Sequence, residues 1–115
     1  MQYMILIYSD EHAWAQLSPD DVGKMMGAYF AYSEALVAAG VMRSGDELQP
    51  TSTARSITVR NGAAHVADGP YVDTKEQLGG YYLIETASEA EAIEWAKKCP
   101  GAAHGGVELR PVVVR

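Results

Sequence analysis

The densest run of chemically able side chains in this sequence is Asp68-Gly69-Pro70-Tyr71-Val72-Asp73-Thr74-Lys75-Glu76, with three carboxylates and an ammonium group. Asp-Gly-Pro is a turn sequence, because Asp bonds to nearby backbone and Gly takes dihedrals that other residues avoid. Turn formation alone accounts for those three residues. The functional reading is that the turn aims Asp68, Asp73, Lys75 and Glu76 into the mouth of a pocket. Mixed charge there holds a polar ligand or sets a general base. On that reading Asp68 and His104 are the candidate catalytic pair. His104 sits in a Gly-flanked turn, Ala103-His104-Gly105-Gly106, and the Asp68 carboxylate is expected to approach His104, Arg110 or Lys75. A solvated charge cluster fits the pattern equally well.

Further candidates for ligand contact lie on apolar segments. Glu47, Glu108 and Arg110 fall on expected strands, and Glu108 and Arg110, two apart, share a face. A carboxylate and a guanidinium on an inner sheet face need each other, or a ligand, to offset desolvation. A wet face or an interface ion pair is the plainer alternative. Tyr29 and Tyr81 are expected in or beside the core, each with a hydroxyl able to reach a ligand. His12, His65 and His104 lack metal-ligand spacing, and the single Cys99 has no CxxC partner, so no metal site is expected. Cys99 ends a helix, where the dipole disfavours thiolate. No phosphate-loop, dinucleotide or serine-hydrolase motif is present, and no cofactor is expected.

Composition narrows the classes. A hydrophobic fraction of 48% with 21% charged residues belongs to a globular chain. The net charge of −6, with nine Lys and Arg, argues against nucleic acid as a partner. One cysteine excludes an internal disulfide and suits a reducing cytosol, so a cytoplasmic location is expected. The apolar opening Tyr3 to Tyr8 lacks a basic leader and is followed by Asp10 and Glu11. It reads as a strand rather than a signal peptide, and no run approaches the ~20 residues of a membrane span.

These side chains need a scaffold, and the periodicities supply one. Tyr3–Tyr8 is an uninterrupted apolar run, the mark of a strand covered on both faces. Ser9–Leu17 reads as a loop. Ser18-Pro19-Asp20-Asp21 starts a helix, and Val22, Met25, Met26, Tyr29, Phe30, Leu36 and Val37, with Ser33, form its expected buried stripe, ended by Gly40. Gly23 and Gly27 suggest close packing. Val41–Leu48 is a second strand. Ser56–Arg60 and Ala64–Val66 form a hairpin about Asn61-Gly62 that lies at an edge or projects. Gly79–Glu85 is another two-sided strand. Ser88 and Glu91 box the start of a second helix with a stripe of Ala92, Ile93, Ala96 and Cys99, and Val107–Val114 is the last strand.

The order defines one α+β domain, residues 1–115, of the ferredoxin-like βαββαβ type with an extra hairpin. Two helices cover one face of an antiparallel sheet. Tyr3–Tyr8 and Tyr81–Ile84 are apolar at odd and even positions alike, so the second face is apolar too. A homodimer formed by packing two sheets is the expected remedy.

The run from Asp68 through Lys75-Glu76-Gln77-Leu78-Gly79-Gly80-Tyr81-Tyr82-Leu83-Ile84 resembles the signature DGPFAETKE followed by a GG-aromatic strand. Tyr71, Val72 and Asp73 replace Phe, Ala and Glu. The opening strand, Gly45-Asp46-Glu47-Leu48 and Val107-Glu108-Leu109-Arg110-Pro111 match as well. The chain thus resembles the YCII-related (DGPF) family over nearly its whole length. The resemblance implies a dimeric α+β barrel, a fold shared by some isomerases, monooxygenases and dismutases. The function expected for this chain is to bind a small polar or aromatic molecule in a pocket near the DGP loop, with acid–base chemistry there. Family members often sit beside genes for extracytoplasmic-function sigma factors. A non-catalytic regulatory protein that binds such a partner through its acidic surface is therefore the alternative. The His–Asp centre proposed for the YCII branch has its His motif near the first helix, a motif not clearly matched in this sequence.

Overall fold

The structure is a computed structural model and describes all residues, Met1–Arg115. In chain order the elements are β1 (Gln2–Ser9), α1 (Glu11–Ala15), α2 (Pro19–Ala38), β2 (Met42–Glu47), a 3-10 turn (Thr51–Thr53), β3 (Arg55–Arg60), β4 (Ala63–Asp68), β5 (Gln77–Glu85), α3 (Glu89–Lys98), α4 (Gly101–His104) and β6 (Gly106–Pro111). The main sheet is antiparallel in the order β2-β5-β1-β6. This is the split βαβ arrangement of the ferredoxin-like fold.

Alternation decides which side of the sheet each residue serves. Tyr3, Ile5 and Ile7 of β1 and Tyr82 and Ile84 of β5 point to the helix side and are buried. Tyr32 and Leu36 of α2 and Ala92 and Ala96 of α3 cover them, with Val41 and Cys99 closing the core. The Tyr32 hydroxyl donates to the Trp95 carbonyl at 2.7 Å, and its ring meets Tyr82 edge-on at 5.3 Å. Burial pushes the phenols of Tyr29 and Tyr32 and the thiol of Cys99 above their ordinary values.

Several sequence expectations change. Ser9–Leu17 is not all loop. Asp10 accepts from the backbone N–H groups of His12 and Ala13 and caps the short helix α1, a local signal that outweighs the missing apolar stripe. Met26, Phe30 and Val37 lie outside the core, because α2 is apolar over a wider arc than one sheet face covers. Tyr32 takes a core position instead. Ile93 is likewise exposed, and nothing packs near Gly23 or Gly27. β6 stops at Pro111, since β1 begins at Gln2 and has no residues left to pair beyond Val112.

The hairpin β3–β4 forms its own two-stranded sheet, turned by Asn61 and Gly62, both at positive φ. Ile57, Val59 and Val66 share one of its faces and are about 60% exposed. The molecule extends 47 × 45 × 18 Å with a radius of gyration of 16.1 Å, against about 13 Å for a compact chain of this length.

Candidate functional site

Four connections meet at one end of the main sheet: the exits of β1 and β2 and the entries of β5 and β6. A hydrogen-bond chain ties them together. The Glu11 carboxylate accepts from the Thr51 N–H at 2.8 Å and from its hydroxyl at 2.7 Å. The Glu11 N–H donates to Gln77 Oε1 at 2.9 Å, and Gln77 Nε2 donates to the Thr74 carbonyl at 2.7 Å. Through these bonds α1, the 3-10 turn and the end of the DGP loop are fixed to one another. Gly105 lies where an added Cβ would strike the Tyr8 carbonyl, with Glu76 Oε2 at 3.2 Å, so Glu76 sits beside the residue that follows His104.

The sheet face away from the helices carries polar groups around an apolar floor. Its register sets Asp46, Tyr81, Leu6 and Glu108 in one row across the four strands and Ser44, Leu83, Met4 and Arg110 in the next. The centre of each row is apolar or aromatic and half-buried, while the two edges are polar. Tyr81 donates its hydroxyl to Asp46 Oδ2 at 3.0 Å, and this bond to a carboxylate holds the phenol above its ordinary value. Glu108 and Arg110 form an ion pair. The floor suits a planar ring, and the rim offers a phenol, two carboxylates and a guanidinium to a ligand's oxygens.

On the helix side of the same sheet end, Tyr29 packs against Gly101, where an added Cβ would lie 2.7 Å from both its hydroxyl and Ile7 Cγ2. Burial, then the neighbours Cys99, Tyr82 and Glu47, keep this phenol protonated well above the usual range. Ser33 and Tyr82 share a 2.8 Å hydrogen bond close by.

The candidates read from the sequence therefore separate. Tyr81, Glu108 and Arg110 share the open sheet face, and Glu47 and Tyr29 lie together on the opposite side. Asp73, Lys75 and Glu76 are exposed on the DGP loop, and His104 is exposed at the end of α4. The Asp68 carboxylate, 90% exposed, pairs with Arg55 at 3.3 Å rather than with His104, Arg110 or Lys75. Its place at the end of the projecting β4 explains this, since Arg55 is its direct cross-strand neighbour. His12, His65 and His104 sit on separate elements, and no three His, Cys, Asp or Glu side chains converge as metal ligands. Sequence reasoning missed Asp46, Glu11 and Gln77. Asp46 was findable, because alternation along β2 puts it on the face opposite Glu47.

The fold and its open polar-rimmed face define a ferredoxin-like α+β protein. Its likeness in fold extends to the 5-chloro-2-hydroxyhydroquinone dehydrochlorinase of Burkholderia phenoliruptrix AC1100, solved with 2,5-dihydroxybenzoquinone. That match has a TM-score of 0.50 and 17% identity, covering 98% of this chain and 94% of the other. The chain belongs to the YCII-related family, whose domain matches residues 1–114. It is 34% identical over 116 residues to an uncharacterized protein of Rhizobium meliloti (strain 1021), covering 99% of this chain and 94% of that protein. No helix is long and apolar enough to cross a membrane.

Proposed function

We propose that this protein is a homodimer whose open sheet faces pack together and enclose a pocket for a small polar or aromatic molecule beside the DGP loop. The observation that carries this reading is the pair of rows on the open face, apolar at the centre and rimmed by Asp46–Tyr81 and Glu108–Arg110. Exposed surface supports the dimer. The chain presents 7801 Å², whereas a compact chain of 12.4 kDa presents about 6,100 Å². Arg110 serves as anchor for an anionic or carbonyl oxygen, and Tyr81, whose proton goes to Asp46, as acceptor from a ligand hydroxyl. Asp68 and His104, which do not meet within one chain, are assigned to the pocket mouth as an acid–base pair contributed by adjoining copies. The quinone held by the dehydrochlorinase is a ligand of this type, planar and oxygen-rich.

The test is calorimetric titration with 2,5-dihydroxybenzoquinone. Saturable binding at one site per chain is expected, weakened about tenfold or more by Arg110→Met, which removes a charge-assisted contact. Absence of binding to this probe and to simpler dihydroxybenzoates would overturn a pocket for aromatic polar ligands. Wild-type affinity in Arg110→Met and Tyr81→Phe would move the pocket off this face.

A further inference from the structure

Two apolar surfaces remain in each chain when the open sheet faces are paired. One is the face of the β3–β4 hairpin formed by Ile57, Val59 and Val66, which are 63%, 58% and 61% exposed. The other is the outer ridge of α2, where Met26, Phe30 and Val37 are 48%, 67% and 64% exposed. A shallow, open depression lies along that ridge, bordered by Phe30, Ser33, Glu34, Val37 and Ala38. An isolated two-stranded hairpin is marginal in water, and an apolar face on it calls for cover.

Charge selects the match. The segment from Arg55 to Asp68 holds two arginines and one carboxylate, so it is net positive in a chain of net charge −6. Asp68 already occupies Arg55, while Arg60 at the hairpin tip bonds only the adjacent Val59 carbonyl. On α2, Asp20, Asp21 and Glu34 outnumber Lys24. Glu34 borders this depression and makes no ion pair in its own chain.

We propose that β3–β4 is a clasp that seats its apolar face on the outer ridge of α2 in a second copy, with Arg60 against that copy's Glu34. The inference rests on the homodimer proposed above. A two-fold axis makes the contact reciprocal, so each copy gives one hairpin and receives one. Six residues per strand reach about 20 Å, enough to cross from one copy's sheet to the helix layer of the other. The exposed surface in excess of a compact chain, about 1,700 Å², is roughly twice what one partner buries in a standard interface. A sheet-to-sheet contact alone leaves much of it uncovered.

Charge reversal tests the clasp. Arg60→Glu and Glu34→Arg are each expected to weaken the dimer constant about fivefold in sedimentation equilibrium, with circular dichroism unchanged. Combining them restores it to within about twofold. Equal dimer constants in the wild type and both single variants, or a double variant weaker than either, overturn the clasp. If those results accompany a dimer that Leu83→Asp disrupts, only the clasp fails. A monomeric wild type overturns the clasp and the homodimer together.

Discussion

The helix-covered face of the main sheet and the β3–β4 hairpin are both built from β-branched, apolar-rich strands, yet their settings are opposite. Ile5 on the first is fully buried, whereas Ile57 on the second is 63% exposed. Ile5 has two helices above it and a strand on each side, while Ile57 has one cross-strand neighbour, Val66. The same residue type therefore secures the fold in one place and offers a surface in the other. Local strand propensity does not distinguish the two; the layers stacked upon them do.

The sharpest way to break this comparison is the same substitution at both sites. Ile5→Asp puts an unpaired carboxylate among Tyr3, Leu36 and Ile84 and is expected to remove more than about 4 kcal/mol, leaving the chain unfolded by circular dichroism. Ile57→Asp is expected to change the unfolding free energy of the isolated chain by under about 1 kcal/mol and to keep the wild-type spectrum. Similar losses at both sites would mean that the hairpin is part of the folding unit.

Alkaline titration probes the packed region alone. Burial raises the Cys99, Tyr29 and Tyr32 ionisations in the folded chain. The unfolded chain therefore loses protons first, from about pH 8.5 for the thiol and about pH 10 for the phenols. Their contribution is complete below those values and falls as pH rises toward the folded ones. Urea midpoints are expected to be flat with respect to these groups up to about pH 8 and to decline above it, with Cys99→Ala removing the earliest part of the decline. A midpoint independent of pH to about 11 would contradict the buried environment.

Much of this division was legible in the sequence. Two-sided apolar runs marked β1 and β5, Ser18-Pro19 and Ser88-Glu91 marked the starts of α2 and α3, and Asn61-Gly62 marked the hairpin, because each signal is local and chemical. The arc of α2 that reaches the sheet was not legible. Its sequence is apolar on two sides, and only tertiary placement chooses Tyr32 and Leu36 over Phe30 and Val37. The site was partly legible for the same reason. Glu108 and Arg110 followed from strand alternation, whereas the pairing of Asp46 with Tyr81 depends on a register shift between Met42 and Ser44 that no spacing announces. The partner of Asp68 depends on hairpin register and so came out as Arg55.

The smallest expected effect on stability concerns that residue. Asp68→Asn keeps size and turn-forming capacity while removing a charge whose ion pair is exposed, so the unfolding free energy is expected to shift by less than about 1 kcal/mol. On the proposed assignment of Asp68 to the pocket mouth, titration of the variant with 2,5-dihydroxybenzoquinone is expected to show lost or strongly weakened binding. Unchanged affinity would reduce Asp68 to a turn residue.

The open sheet face is the common element of the proposed dimer and the proposed pocket, and Leu83 lies in its centre, between Ser44 and Met4 in the register. Sedimentation equilibrium of wild type and Leu83→Asp at micromolar concentration tests that face most directly. The expected result is a dimer for the wild type and a folded monomer for the variant, with matching circular dichroism. A monomeric wild type, or a variant that sediments as the same dimer, would contradict it.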